Sequence, residues 1–305
     1  MGNTSYSSSS RSVRAASAGY ATKSASDIFT QSKERKIHES MEPSKALLRE
    51  SRDSEAHPNS IPIIIALDTT GSMLDIPMHL VREGLPKMVG NIIQKGFPDP
   101  QILFLGVGDH ECDRAPLQVG QFESGDEELD LWLTRTYLER GGGGNGGESY
   151  LLAHYFAANH TVLDCFEKRG QKGILVTIGD EPGLHSLPKR SIQEIMGKEV
   201  QGSYSDDNLL DLAKEKYDVY HIHINHNGGD ARAERYWQSK LNENCIIVDD
   251  YENVGDTIST LVVRNIKNRV SYPTTSKNSN VIVDSKTDVS KTNSSSVKPE
   301  EEEIL

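Results

Sequence analysis

Five short apolar runs constrain this chain more than any other feature: "IPIIIAL" (61–67), "QILFLGV" (101–107), "KGILVTI" (172–178), "VYHIHI" (219–224) and "NCIIV" (244–248). Each is rich in Ile, Val or Leu and too short for a core helix. Strands buried on both faces have this appearance. Helical patterns lie between them. From Ile76 to Ile93 apolar residues recur at three to four, with Pro86 predicting a kink. Further helices are expected over 126–139, 148–167, 206–216, 230–242 and 251–268. The alternating "LQVGQF" (117–122) reads as an antiparallel edge strand.

Strands alternating with helices require crossover connections and a parallel sheet covered on both sides. The expected fold is therefore α/β: a doubly wound, Rossmann-like three-layer sandwich, mostly parallel, with one antiparallel edge strand. Such sheets bind ligands beyond the carboxyl ends of their strands. Asp68 and Asp180 each follow directly on a core run, so both fall on that edge.

The flanks are different. Residues 1–58 are rich in Ser, Ala, Lys, Arg and Glu and are expected to be largely disordered, with a short helix somewhere in 27–52. Residues 271–305, ending "SSSVKPEEEEIL", read as a disordered, acidic-ended tail. One domain over 59–270 remains, and a fragment of about 58–270 is expected to fold alone. The formal net charge of −12 argues against a nucleic-acid partner, which needs a basic face. Three widely spaced cysteines suggest no disulfide framework, and the N-terminus has no apolar leader. A cytoplasmic, intracellular setting is the expectation, with no membrane span.

The run from Ile63 ends in "DTTGSM". Asp68, Thr70 and Ser72 are spaced by two, and Gly71 permits a tight turn on which alternate side chains converge. One carboxylate and two hydroxyls make a hard, oxygen-only, weakly charged ligand set. That chemistry suits Mg²⁺ or Mn²⁺. The plain alternative is a helix-capping turn with no metal.

"DTTGSM" resembles the DxSxS or DxTxS motif of von Willebrand factor A domains, which carry it after the first strand as a metal-ion-dependent adhesion site. "VTIGDEPGLH" resembles the strand that delivers that family's third-loop aspartate, here Asp180, in the GDxPxH form of A domains linked to alpha-kinases. "GGGGNGGES" (141–149) resembles the same subgroup's Gly-rich second loop, and "GVGDHE" (106–111) its second strand end. The resemblance covers about residues 60–268. It implies a metal held by Asp68, Thr70, Ser72 and Asp180 and by one ligand of the second loop, which offers Asn145, Glu148 or Ser149, with Asn145 standing where the subgroup has Asp. Asp109, His110, Glu148 and Glu181 are candidates for the layer behind those ligands. It also implies a protein partner that offers a Glu or Asp to the ion, with an AAA+ ATPase as one candidate. Kinase activity is not carried over.

Two other readings stand beside this binding module. A metal-dependent phosphohydrolase could use a strand-end Asp, but the haloacid-dehalogenase pattern wants a second Asp where Thr70 stands. No catalytic constellation is legible from spacing, and no phosphate-binding GxxxxGK[ST] loop occurs. A metal-free pseudo-site would keep the fold as an interaction surface. "GDHECDRA" and the histidines of "HIHINH" (His221, His223, His226) are conceivable transition-metal ligands, though ordinary polar or packing roles suit them better.

Overall fold

A computed structural model describes residues 4–73, 75–139, 141, 145–225 and 230–271 of the chain. Residues 142–144 of the Gly-rich loop, His226 and residues 272–305 of the tail, all singled out in the sequence, lie outside the described residues.

Six strands form the central sheet: β1 (Ile61–Asp68), β2 (Pro100–Val107), β3 (Leu117–Val119), β4 (Gly173–Gly179), β5 (Tyr217–Ile224) and β6 (Cys245–Val248), in the order β6-β5-β4-β1-β2-β3. All pairs are parallel except β2–β3, the antiparallel edge. The α/β three-layer sandwich is as expected. The order runs outward from β1 in both directions, so a switch point lies at its C-terminal end.

The register explains the continuous apolar runs. Ile63, Ile65 and Leu67 face one layer, while Ile64 and Ala66 face the other. Both sets are buried, so from Ile63 to Leu67 no position is left for a polar residue. The first layer holds α2 (Leu85–Gln94), through Leu85, Met88, Val89 and Ile92, and α8 (Val254–Ser271), through Val254, Ile258, Leu261 and Val262. Gly255 lets α8 close on the turn before α2, because a Cβ there would lie 2.6 Å from the Gly84 carbonyl oxygen. The other layer holds α4 (Tyr150–Asn159), α5 (Lys189–Met196), α6 (Asp206–Lys216) and α7 (Ala231–Leu241). α4 packs against both the sheet and α6, so it is apolar all round rather than on one stripe.

Two local expectations change. Where the sequence suggests a kink at Pro86, the helix over Asp75–Gln94 has one wide turn, Leu80–Gly84, just ahead of the proline. There Leu85 N–H bonds to Leu80 O, a looser repeat just ahead of a residue with no N–H to give. The helix expected over 148–167 breaks after Asn159, and Thr161–Leu163 pairs in parallel with Arg49–Ser51. The β-branched Thr161 and Val162 suit that pairing.

That partner strand comes from the segment expected to be largely disordered, and residues 4–58 are instead packed on the domain. A helix, α1 (Ser8–Ala18), lies against α2 and α3 (Asp126–Thr134). Its anchor is polar. Arg11, 2% exposed, donates to Asp130 Oδ1 from Nε (3.1 Å) and Nη2 (2.9 Å), and also to the Val81 carbonyl. Ile28 and Phe29 are buried as a pair, and Met41 is fully buried although its sequence neighbours, Ser40 and Glu42, are polar. A low apolar count hid this docking, because it is carried by a few apolar residues and by ion pairs such as Arg11–Asp130 and Arg52–Asp164.

Candidate metal centre

Three adjacent central strands end in acids. Asp68 is the last residue of β1, Asp180 follows β4, and Asp109 stands two residues beyond β2. Parallel pairing in register puts all three on one edge of the sheet.

Asp68 is 1% exposed. Its Oδ1 accepts from Thr70 N (2.8 Å) and from Thr70 Oγ1 (2.7 Å), the closed turn that an Asp with a following Thr makes readily. Its Oδ2 accepts from the phenol of Tyr150, the first residue of α4, at 3.0 Å. Thr70 spends its hydrogen on Asp68, which leaves its oxygen lone pairs for a cation. Ser72 lies on the one-turn helix Gly71–Met73 and is exposed. The loop is held from outside by Gly71 N to Gly141 O (2.9 Å) and by Glu139 N to Thr69 O (3.0 Å).

Around it the charges are mostly acidic. Asp180 Oδ1 and Glu148 Oε2 are buried oxygens with no hydrogen-bond donor among the described residues. Burial, and then the other carboxylates, raise the pKa of both Asp68 and Glu148; for Glu148 the strongest of those charges is Asp68. Tyr150 is driven well above its ordinary value, first by burial and next by Asp68, so it remains a donor. His110 is shifted down by burial, against the pull of Asp109 and Glu111.

The remaining residues named from sequence have defined places. Asp109 is fully buried and accepts from Glu111 N (2.8 Å) and Asn145 Nδ2 (2.6 Å). Asn145 also donates to Glu111 Oε2 (3.0 Å), so its amide is engaged with the β2 exit and makes no hydrogen bond to Asp68. His110 bonds through N (2.9 Å) and Nδ1 (2.7 Å) to Ser149 Oγ. Glu181 pairs with Arg232 at 3.2 Å, and its carbonyl accepts from Trp237 Nε1 at 3.0 Å. The structure thus gathers Asp68 and Thr70 directly, sets Asp180 and Glu148 as acceptors lacking donors, and places Asn145 with Asp109. Tyr150 was missed by the sequence reading. Its only signal was an aromatic with a polar tip opening an apolar helix.

The histidine motif resolves as packing. His221 stacks on Trp237 with centroids 3.7 Å apart and planes at 11°, while its Nδ1 lies 2.8 Å from Thr177 Oγ1. Burial holds it well below its ordinary pKa, so it is neutral. Among the described residues no three His, Cys, Asp or Glu side chains form a ready-made metal cluster. A site of carboxylate and hydroxyl oxygens does not need one.

No family model matches the chain, and no curated protein matches it. Solved structures do. The pilus adhesin SpaC from Lactobacillus rhamnosus GG, in its open conformation, is 11% identical; the match covers 72% of this chain and 31% of that one, with a TM-score of 0.48. Proximal thread matrix protein 1 from the mussel byssus, with a zinc-occupied MIDAS motif, is 12% identical over 68% of this chain and 48% of its own, with a TM-score of 0.43. A von Willebrand factor type A protein from Catenulispora acidiphila is 12% identical over 68% and 43%, with a TM-score of 0.39. The chain spans about a third to a half of the length of these structures. What the site can do is decided by its own residues. Among the described residues, no helix is long and apolar enough to cross a membrane.

Proposed function

We propose that the chain is a von Willebrand factor A-type interaction module that holds a hard divalent cation, Mg²⁺ or Mn²⁺, at the Asp68–Ser72 loop and engages a carboxylate of a partner protein there. The observation that carries this is Asp180 Oδ1, a buried acceptor with no donor among the described residues, one residue past the end of the strand that pairs with the one ending in Asp68. Buried carboxylate oxygens are costly unless a donor or a cation meets them. Asp68, Thr70, Ser72 and Asp180 would hold the ion. When bound, it supplies the positive charge that meets these oxygens and gives a partner's acid something to coordinate. The finer likeness to alpha-kinase-linked A domains, and an AAA+ ATPase as partner, belong to this reading.

One observation favours a second reading, a cation-free scaffold. Both oxygens of Asp68 already accept hydrogen bonds from Thr70 and Tyr150. Titration of the full chain with Mn²⁺ by calorimetry decides. The first reading expects single-site binding that Asp68→Asn weakens more than about tenfold; no binding to the unaltered chain supports the scaffold. The partner half is tested by affinity capture with Mg²⁺, with EDTA, and with Ser72→Ala. An identical captured set in all three overturns it.

A further inference from the structure

We propose that the groove between α2 and α8 docks the chain's own acidic segment, residues 299–305 ("PEEEEIL"), with the glutamates on its cations and Ile304 and Leu305 over its apolar floor.

The two helices lie side by side and run the same way. Lys87, early in α2, pairs with Asp256, early in α8, and Asn91 Nδ2 lies 3.5 Å from Ser259 Oγ one turn further on. Their C-terminal ends therefore emerge together, at the edge where the strands begin. There Arg269 Nη2 donates to the carbonyl of Gly173, the first residue of β4, at 3.5 Å. Asp68 is at the opposite edge of the sheet, so the groove is separate from the proposed cation site.

The seam between the helices holds a cavity of about 570 Å³. Lys95, Arg264 and Lys267 line it with Asn91 and Asn268, and Val263, half-buried against the core, is its apolar floor. The whole chain carries a formal net charge of −12, yet no acid among the described residues lines this cavity. Lys95 and Arg264 are exposed and form no ion pair among the described residues. The acid beside the seam, Asp256, is already held by Lys87 and by Asn91 Nδ2 at 3.2 Å. Cations near helix C-termini have a plain reason, because each such end carries about half a negative charge. Two ends account for about one of the three cations, which leaves a surplus of about two positive charges.

Glu300–Glu303 is the only run of four acids in the sequence, and it follows α8 along the chain. Residues 272–299 connect the two, and a coil of that length spans about 30 Å. The groove runs from Ser259 to Asn268, about 14 Å of helix, so the segment can double back onto it. Tethering holds it at about millimolar effective concentration, enough to fill a site that binds the free peptide only weakly.

The probe is a fluorescent peptide of residues 298–305, titrated by anisotropy into three full-length chains. One is unaltered. The second carries Glu300→Gln, Glu301→Gln, Glu302→Gln and Glu303→Gln. The third adds Lys95→Glu and Arg264→Glu, both at exposed positions, and should melt close to the second. The second chain should bind the peptide about tenfold tighter than the unaltered chain, whose own segment competes. The two charge reversals should weaken that binding about tenfold or more, and so should raising the salt from about 0.05 M to about 0.5 M. Carbodiimide cross-linking of the unaltered chain, read by peptide mapping, should join one of Glu300–Glu303 to Lys95 or Lys267 within a single molecule. Equal peptide binding by the unaltered and second chains would mean an open groove that takes its acids from another protein, and overturns the inference. Cross-links confined to a dimer would mean that a second copy supplies the segment, and overturn it as well. Absence of peptide binding to the second chain also overturns it.

Discussion

Tyr150 donates its phenol to Asp68 Oδ2 at 3.0 Å, across 82 residues of sequence. The bond joins the start of α4 to the end of β1 and sets the direction of the carboxylate. Gly179, the last residue of β4, makes room for it. The tyrosine ring also stands edge-on to Trp237, with centroids 5.2 Å apart. The neighbouring wall of the site is therefore built from packed aromatics rather than from a free loop.

Gly179→Ala should be severely destabilising, because its Cβ would fall 1.6 Å from the Tyr150 hydroxyl oxygen. Tyr150 is fully buried and has nowhere to retreat. The expected loss is about 3 kcal/mol. Tyr150→Phe, which orphans Asp68 Oδ2 without adding volume, should cost about 1–3 kcal/mol. Urea unfolding of the two variants checks both values. Near-native midpoints for Gly179→Ala would show that the phenol is not held where the structure has it.

Arg11 and Asp130 form an ion pair with side chains 3% exposed on each side. Arg11→Met leaves Asp130 buried with its main partner gone and should cost about 3–5 kcal/mol. The double variant Arg11→Met, Asp130→Met removes the charge from both ends and should recover much of that loss. A double-mutant cycle by thermal unfolding measures the coupling. Equal losses in the single and double variants would count against it.

A fragment beginning near residue 58 loses the strand Arg49–Ser51 together with the buried Phe29 and Met41. It should therefore be markedly less stable than the full chain. Limited proteolysis followed by mass measurement checks this. The resistant core is expected to begin before residue 20; one beginning near 58 would restore the shorter domain boundary.

His154 is 3% exposed, and neither ring nitrogen has a partner among the described residues. Burial, assisted by Lys214 and opposed by Asp206, lowers its pKa to about 4. The unfolded chain takes up this proton near pH 6.5, whereas the folded chain does so only near pH 4. Between those values the unfolded state binds more protons, so stability falls as pH drops, by about 3 kcal/mol across the window. Other buried histidines add to the slope, so the check is a difference. His154→Leu should unfold with a shallower pH dependence between 6.5 and 4 than the unaltered chain.

What the sequence determined by itself was the sheet and the edge on which the site lies. Runs such as Ile63–Leu67 and Ile174–Val176 are apolar at consecutive positions, and strands covered on both faces consume them that way. Where such a run stops at an acid, the acid is delivered to the strand's carboxyl end whatever the rest of the chain does. Asp68 and Asp180 were legible for that reason, and the Asp-x-Thr-x-Ser spacing marked the turn. Tertiary structure alone decided how the second loop contributes. Asn145 and Glu148 are three residues apart in the same glycine-rich stretch, and nothing local says which neighbours each one finds. The main chain of Glu148 is bonded to Pro182 and Leu184 on the loop after β4, while the Asn145 amide is bonded to Asp109 and Glu111. The docking of residues 4–58 was equally invisible. Local composition records propensity and periodicity, whereas Arg11 finds Asp130 119 residues along the chain, and only the folded sheet brings them together.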